Sequence, residues 1–155
     1  FDEQFPNRAN AFQFDTDTRN IFICADSKRL LSAFLELLSN AAEADNSCGS
    51  IQIHSHVNAC GHTVTVSVTG KGSLSEINPS EMQTNPLIDA DAPLTAQLST
   101  PFFSTKENHA GLGLSIVAQV CHTHHAGFEL YSRNGFTTAG ITFPILAMDD
   151  MRNTI

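Results

Sequence analysis

Apolar and polar positions along the chain change their rhythm several times, and each change marks an element. From about Lys28 to Ala44 apolar residues recur every three or four positions, the period of a helix with one face covered. On a helical wheel Leu31, Phe34, Leu38 and Ala42 form the expected buried stripe, flanked by Leu30, Leu35 and Ala41. Ser32, Glu36, Ser39, Asn40 and Glu43 share the other side. Asp26 or Ser27 supplies an N-cap, and Asp45-Asn46-Ser47-Cys48-Gly49 breaks the helix. Ile51 to Val57 and Thr63 to Val68 then alternate apolar with polar, as two half-buried strands turning near Asn58 to Gly61.

Upstream, Phe12 and Phe14 alternate in what reads as an edge strand within a lead-in over residues 1–18, and Arg19 to Cys24 reads as a short β run. The rhythm fails from Gly70 to about Ala110. Pro79, Pro86, Pro93 and Pro101 punctuate a long polar stretch with one short helix expected near Pro93 to Leu98, and a segment this long inside a domain is usually functional. Leu114, Val117, Val120 and Cys121 restore a helical stripe. Phe128 to Ser132 and Ile141 to Leu146 close the chain as strands around Asn134-Gly135, and residues 148–155 read as a loose tail.

The pairing of Gly111-Leu112-Gly113-Leu114 with the helix behind it carries the first chemical suggestion. Glycines just ahead of a helix let the backbone approach an anion, and the first-turn N–H groups with the helix dipole favour phosphate. Composition narrows the class. The 155 residues are 41% hydrophobic, which suits one globular domain with a real core. A net charge of −8 with no Lys/Arg cluster argues against a general nucleic-acid binder. No apolar run approaches the roughly 18 residues of a membrane span, and no signal peptide is visible. The four cysteines form no Cys-x-x-Cys pair, so reduced cytoplasmic thiols are expected. A first residue other than methionine suggests a piece of a larger protein.

The order of these parts resembles the GHKL ATPase superfamily: a helix with Glu36-Leu-Leu-Ser-Asn40, a hairpin ending in Gly70-Lys71-Gly72, a long loop, Pro101-Phe102-Phe103-Ser-Thr-Lys106, and the Gly111–Leu114 helix. The branch it is most similar to is the catalytic ATP-binding domain of bacterial sensor histidine kinases, and Pro101 to Val117 is especially like the nitrogen-regulator type. The resemblance implies an α/β two-layer sandwich, a mixed and mainly antiparallel sheet with helices on one face. It covers residues 19–147, with an ATP lid at 72–110.

On that resemblance Asn40 would ligate Mg²⁺, for which a neutral amide oxygen is a suitable hard ligand. Glu36, one turn earlier, would orient or activate the attacking nucleophile. Gly70 and Gly72 match the first glycine box; Gly111, Leu112, Gly113 and Leu114 match the second. Lys106 would meet the terminal phosphate, and Phe102 and Phe103 would anchor the lid. Thr137 keeps the place of a threonine beside the adenine. Implied partners are a dimerisation and phosphoacceptor domain and a response regulator of the σ54-dependent kind, with no nucleic acid and no membrane contact.

Three departures stand out. Val68 occupies the position where the family carries the aspartate that accepts from the adenine amino group. His109-Ala110 stands where Gly-Thr is usual, and Ala139-Gly140 where a phenylalanine is common. ATP binding could therefore be weak or lost, leaving a docking module of the same fold as the alternative to a kinase domain. A mismatch-repair or chaperone-type ATPase fits less well, given the short chain and the Phe102–Lys106 lid. Histidines at 54, 56, 122, 124 and 125 read as a surface cluster rather than a zinc site, because no carboxylate or cysteine stands at tight ligand spacing.

Overall fold

The computed structural model describes residues 12–16, 21–44, 50–72 and 112–146. Its elements run β1 (Phe12–Thr16), α1 (Ser27–Ala44), β2 (Ile51–Val57), β3 (Thr63–Lys71), α2 (Gly113–Thr123), β4 (Gly127–Arg133) and β5 (Phe136–Pro144). The strands make one five-stranded sheet in the order β1-β2-β3-β5-β4. β1 pairs parallel with β2, whereas β2–β3, β3–β5 and β4–β5 are antiparallel. Both helices pack on one face, α1 against α2 and β3, and α2 also against β4. This is the α/β two-layer sandwich expected from the sequence.

The alternation of β3 explains how the layers form. Val64 and Val68 are buried under the helices with Ile141, Phe143, Ala33, Leu37 and Val117. The intervening threonines point to the sheet's other face. There Thr65 and Thr142 lie in register with their hydroxyls 2.8 Å apart, and Thr69 and Thr138 repeat the arrangement at 2.9 Å. Each cross-strand pair satisfies two hydroxyls that would otherwise need water. Asn134 and Gly135 adopt left-handed conformations, φ 54° and 78°, as a two-residue turn between strands of right-handed twist requires.

Asp26 is the N-cap of α1: its Oδ1 accepts from the amides of Lys28 at 2.9 Å and Arg29 at 3.2 Å. The buried face of that helix differs from the wheel. Ala33, Leu37 and Ala42 are buried, whereas Leu31 is 61% exposed and Leu35 is also exposed. The reason is the second helix. Packing α1 against both the sheet and α2 turns the flank carrying Glu36 and Asn40 inward, so the apolar stripe is not centred on the core.

Ile21 to Cys24 is not a strand. Its backbone makes one bond to the chain past β5, from the Leu146 amide to the Phe22 carbonyl at 2.9 Å. β3 runs on to Lys71, past the expected end at Val68, and β5 starts at Phe136 rather than Ile141. Thr137 to Gly140 carry no apolar alternation, yet full register with β3 makes them strand. The expected helix near Pro93, the lid at 73–110 and the tail at 148–155 lie outside the described residues. No helix among the described residues is long and apolar enough to cross a membrane.

Candidate functional site

The helices run antiparallel, so the C-terminal half of α1 lies beside the start of α2. There Glu36 and Asn40, one turn apart on the same flank, converge on Gly113. A Cβ built on Gly113 would stand 2.7 Å from Glu36 Oε2 and 3.7 Å from Asn40 Nδ2. A side chain at that point would displace the carboxylate from where it lies. Among the described residues no side chain caps this helix: Leu112 at the N-cap has φ −100° and no capping hydrogen bond, and the first turn holds no acidic residue. The first-turn N–H groups and the positive end of the dipole therefore lie beside a carboxylate and an amide.

The second glycine group lies at the far end of β3. Gly70 is buried, and a Cβ on it would come within 2.9 Å of Ala41 Cβ and 3.3 Å of the Ala41 backbone, so its absence lets β3 pass directly under α1. Gly72 has a φ of +144°, a conformation that favours glycine. Its amide donates to the Gly135 carbonyl at 2.9 Å, and its carbonyl accepts from Thr137 Oγ1 at 3.0 Å. Thr137 Oγ1 also lies 2.7 Å from Ser132 Oγ. Thr137 thus ties the start of the following segment to the β4–β5 hairpin.

Val68 sits between these groups, 3% exposed, in register with Ile53 on one side and Ala139 on the other. None of the three side chains carries a hydrogen-bond acceptor. Leu114 packs half-buried against the core, while Leu112 is 39% exposed. Lys106, Gly111, Phe102, Phe103, His109 and Ala110 lie outside the described residues.

A second concavity lies on the outer side of the same helix pair. It is an open cleft of about 530 Å³ floored by Leu112, Ile116 and Val120, with Lys28, Arg29 and Gln119 along its sides. Leu31 and Leu35 add exposed apolar surface on α1.

Sequence reasoning missed two contributors. Ser132 stands opposite Thr137 across the Asn134-Gly135 turn, and that cross-strand spacing was the available signal. His124 joins the helices through the Asp26 amide, 98 positions away, for which no local signal exists. No group of three or more His, Cys, Asp or Glu among the described residues holds a metal-binding arrangement. His54 and His56 only meet edge-on, their ring centroids 5.4 Å apart.

This two-layer sandwich, with a polar corner where the two helices meet, is the fold of the GHKL class of ATPase domains. Residues 25–147 match the histidine kinase-, DNA gyrase B-, and HSP90-like ATPase family, and the chain belongs to it. Curated relatives include the sensory histidine kinase/phosphatase NtrB of Rhizobium leguminosarum bv. phaseoli, 33% identical over 79% of this chain and 32% of its own length. The NtrB of Rhodobacter capsulatus is 28% identical over 77% of this chain and 33% of its own. The chain thus spans about a third of the length of these relatives. Among solved structures, the nucleotide-free catalytic domain of the histidine kinase ThkA superposes with a TM-score of 0.68 at 26% identity, covering 93% of this chain and 84% of that one. ThkA is also known in complex with the response regulator protein TrrA. The ATPase family implies ATP binding.

Proposed function

We propose that this chain is the ATP-binding catalytic domain of a two-component sensor histidine kinase. In this reading it delivers the γ-phosphate of ATP to a histidine on a separate dimerisation domain. The observation that carries the proposal is the convergence of Glu36 and Asn40 on Gly113 at an uncapped helix N-terminus. That corner fits a nucleotide triphosphate with its cation: backbone donors for phosphate oxygens, an amide oxygen for a hard metal, and a carboxylate beside both.

Asn40 would hold Mg²⁺, which supplies charge neutralisation across the phosphates when bound. Glu36 would accept a hydrogen bond from the attacking imidazole and orient it. Gly111, Leu112, Gly113 and Leu114 would present first-turn amides, with Lys106 meeting the terminal phosphate. Gly70 and Gly72 would form the backbone wall, and Thr137 would fix that wall through the Gly72 carbonyl. The outer cleft, apolar on its floor and edged by Lys28 and Arg29, suits an amphipathic helix with acidic flanks. We assign it to the dimerisation and phosphoacceptor domain. The ThkA–TrrA complex supports a response regulator as downstream partner, and the NtrB relatives favour the σ54-dependent kind. Free thiols at Cys24, Cys60 and Cys121 suit a cytoplasmic setting.

A second reading rests on Val68. A valine between Ile53 and Ala139 offers no acceptor to an adenine amino group. Losing a charge-assisted hydrogen bond costs about 1.5–3 kcal/mol, or roughly ten- to a hundred-fold in affinity. The domain would then be a docking module with an impaired pocket. Calorimetric titration with ATP and Mg²⁺ separates the two. Micromolar binding by the parent supports the kinase domain, with phosphate and metal contacts compensating. No binding by the parent, but binding by Val68→Asp, gives the docking module the lead. Absence of binding by both would overturn the nucleotide-site assignment.

A further inference from the structure

The end of the helix pair away from the candidate site is joined through an imidazole. His124, the residue following α2, lies with Nδ1 2.7 Å from the Val120 carbonyl oxygen and Nε2 2.9 Å from the Asp26 amide nitrogen. A carbonyl can only accept and an amide N–H can only donate, so the two contacts fix the ring: Nδ1 carries the hydrogen and Nε2 is bare. The Asp26 residue that receives this contact is also the N-cap of α1. His124 therefore couples the last turn of α2 to the first turn of α1, in one tautomer of the neutral ring.

We propose that His124 is a positioning residue, a proton-sensitive latch that sets the register of α1 against α2 and thereby the placement of Glu36 and Asn40 at Gly113. Since the helices are antiparallel, sliding α1 past α2 at the latch moves Glu36 along the first turn of α2 by the same amount. A proton arriving at Nε2 removes the acceptor and sets N–H against N–H. This inference goes beyond the proposed function, because the latch is a property of the fold whether or not nucleotide binds.

The charged surroundings of His124 are few. From α1 it faces Asp26, whose Oδ1 is turned to the Lys28 and Arg29 amides and whose Oδ2 lies 3.8 Å from Arg29 Nε. On its own side of the pair stand the exposed imidazoles of His122 and His125. β4, packed against α2, brings Glu129 as its first charged residue; the Glu129 side chain lies over Gly140, away from the core-facing Phe128 and Leu130. The diagnostic is whether the Asp26 amide and the His124 ring change together.

Nitrogen-15 NMR of this chain, without nucleotide, tests the latch. At about pH 8 the His124 ring should show a protonated Nδ1 and a bare Nε2. On lowering the pH through the imidazole range, the Asp26 amide should shift with the same midpoint as the His124 ring, and the Gly113 amide and Asn40 side-chain amide should shift with it. In His124→Gln, whose side-chain oxygen stands as many bonds from Cα as Nε2, that titration should vanish from all three signals while the fold is kept. An Nε2-protonated tautomer at about pH 8 would overturn the proposal. So would Gly113 and Asn40 signals that titrate identically in parent and His124→Gln.

Discussion

The two ends of the candidate site obey different physics. At the end formed by α1 and α2, polar groups are crowded together: a Cβ on Gly113 would stand 2.7 Å from Glu36 Oε2, the movable end of that side chain, and among the described residues no side chain caps the adjoining helix. At the end formed by β3 and β5, apolar groups are crowded instead, with Val68 buried between Ile53 and Ala139. A core selects the second arrangement without help, since burying a valine stabilises by about 1.5–3 kcal/mol. The first gains nothing for a core, because polar side chains turned between two helices cost free energy unless something meets them. The contrast separates an end whose polar groups invite a partner from an end whose apolar groups are satisfied by the core.

The largest effect should come from the polar end. In the full-length protein, Glu36→Ala should lower autophosphorylation by about 10²–10⁴-fold, the usual worth of a positioned acid–base group. Asn40→Ala should abolish the Mg²⁺ dependence of ATP affinity in calorimetry. Parental activity in both variants would sink the assignment of this corner.

Paired glycine substitutions sharpen the comparison. At Gly70 the added methyl meets backbone and Cβ of Ala41, so Gly70→Ala should lose about 1–3 kcal/mol, some 2–4 °C in Tm for each kcal/mol in a chain of this size. At Gly113 it meets only the mobile end of Glu36, and alanine favours helix by up to about 1 kcal/mol. Gly113→Ala should therefore keep its Tm and lose nucleotide affinity. Equal thermal shifts in the two variants would contradict the difference.

The smallest effect lies in the core between the ends. Burial pushes the Cys121 thiol up from 9.0 to about 11, partly offset by a backbone hydrogen bond. The folded state thus holds its proton longer than the unfolded chain, so stability should fall as pH rises from about 9 toward about 11. Cys121→Ala should flatten that part of the unfolding curve, and a slope unchanged by the substitution would mean other groups set it.

Much of this was legible beforehand. The bounds of α1 follow from Asp26 and the Asp45–Gly49 breaker, and the β2–β3 hairpin from strict alternation. The meeting of Glu36 and Asn40 with Gly113 was legible, because both halves are local patterns. The orientation of α1 was not, since a wheel ranks hydrophobicity and the inward flank here carries a carboxylate and an amide. Neither Ser132 nor His124 could be singled out by type, because their significance lies in partners supplied by the fold: a strand across a turn and a backbone amide 98 residues away.

Gly72 is anchored twice, to Gly135 and to Thr137, while Leu112 leads directly into a packed helix. The two positions that bracket residues 73–111 are therefore each fixed by contacts among the described residues. The entropic cost of closing a chain between two fixed points rises only with the logarithm of its length, about 0.6 kcal/mol for each doubling. Insertions and deletions in residues 73–111 should therefore leave the sheet register and the helix pair undisturbed, giving the domain a stretch that can lengthen, shorten or change its chemistry while the scaffold on either side stays as it is.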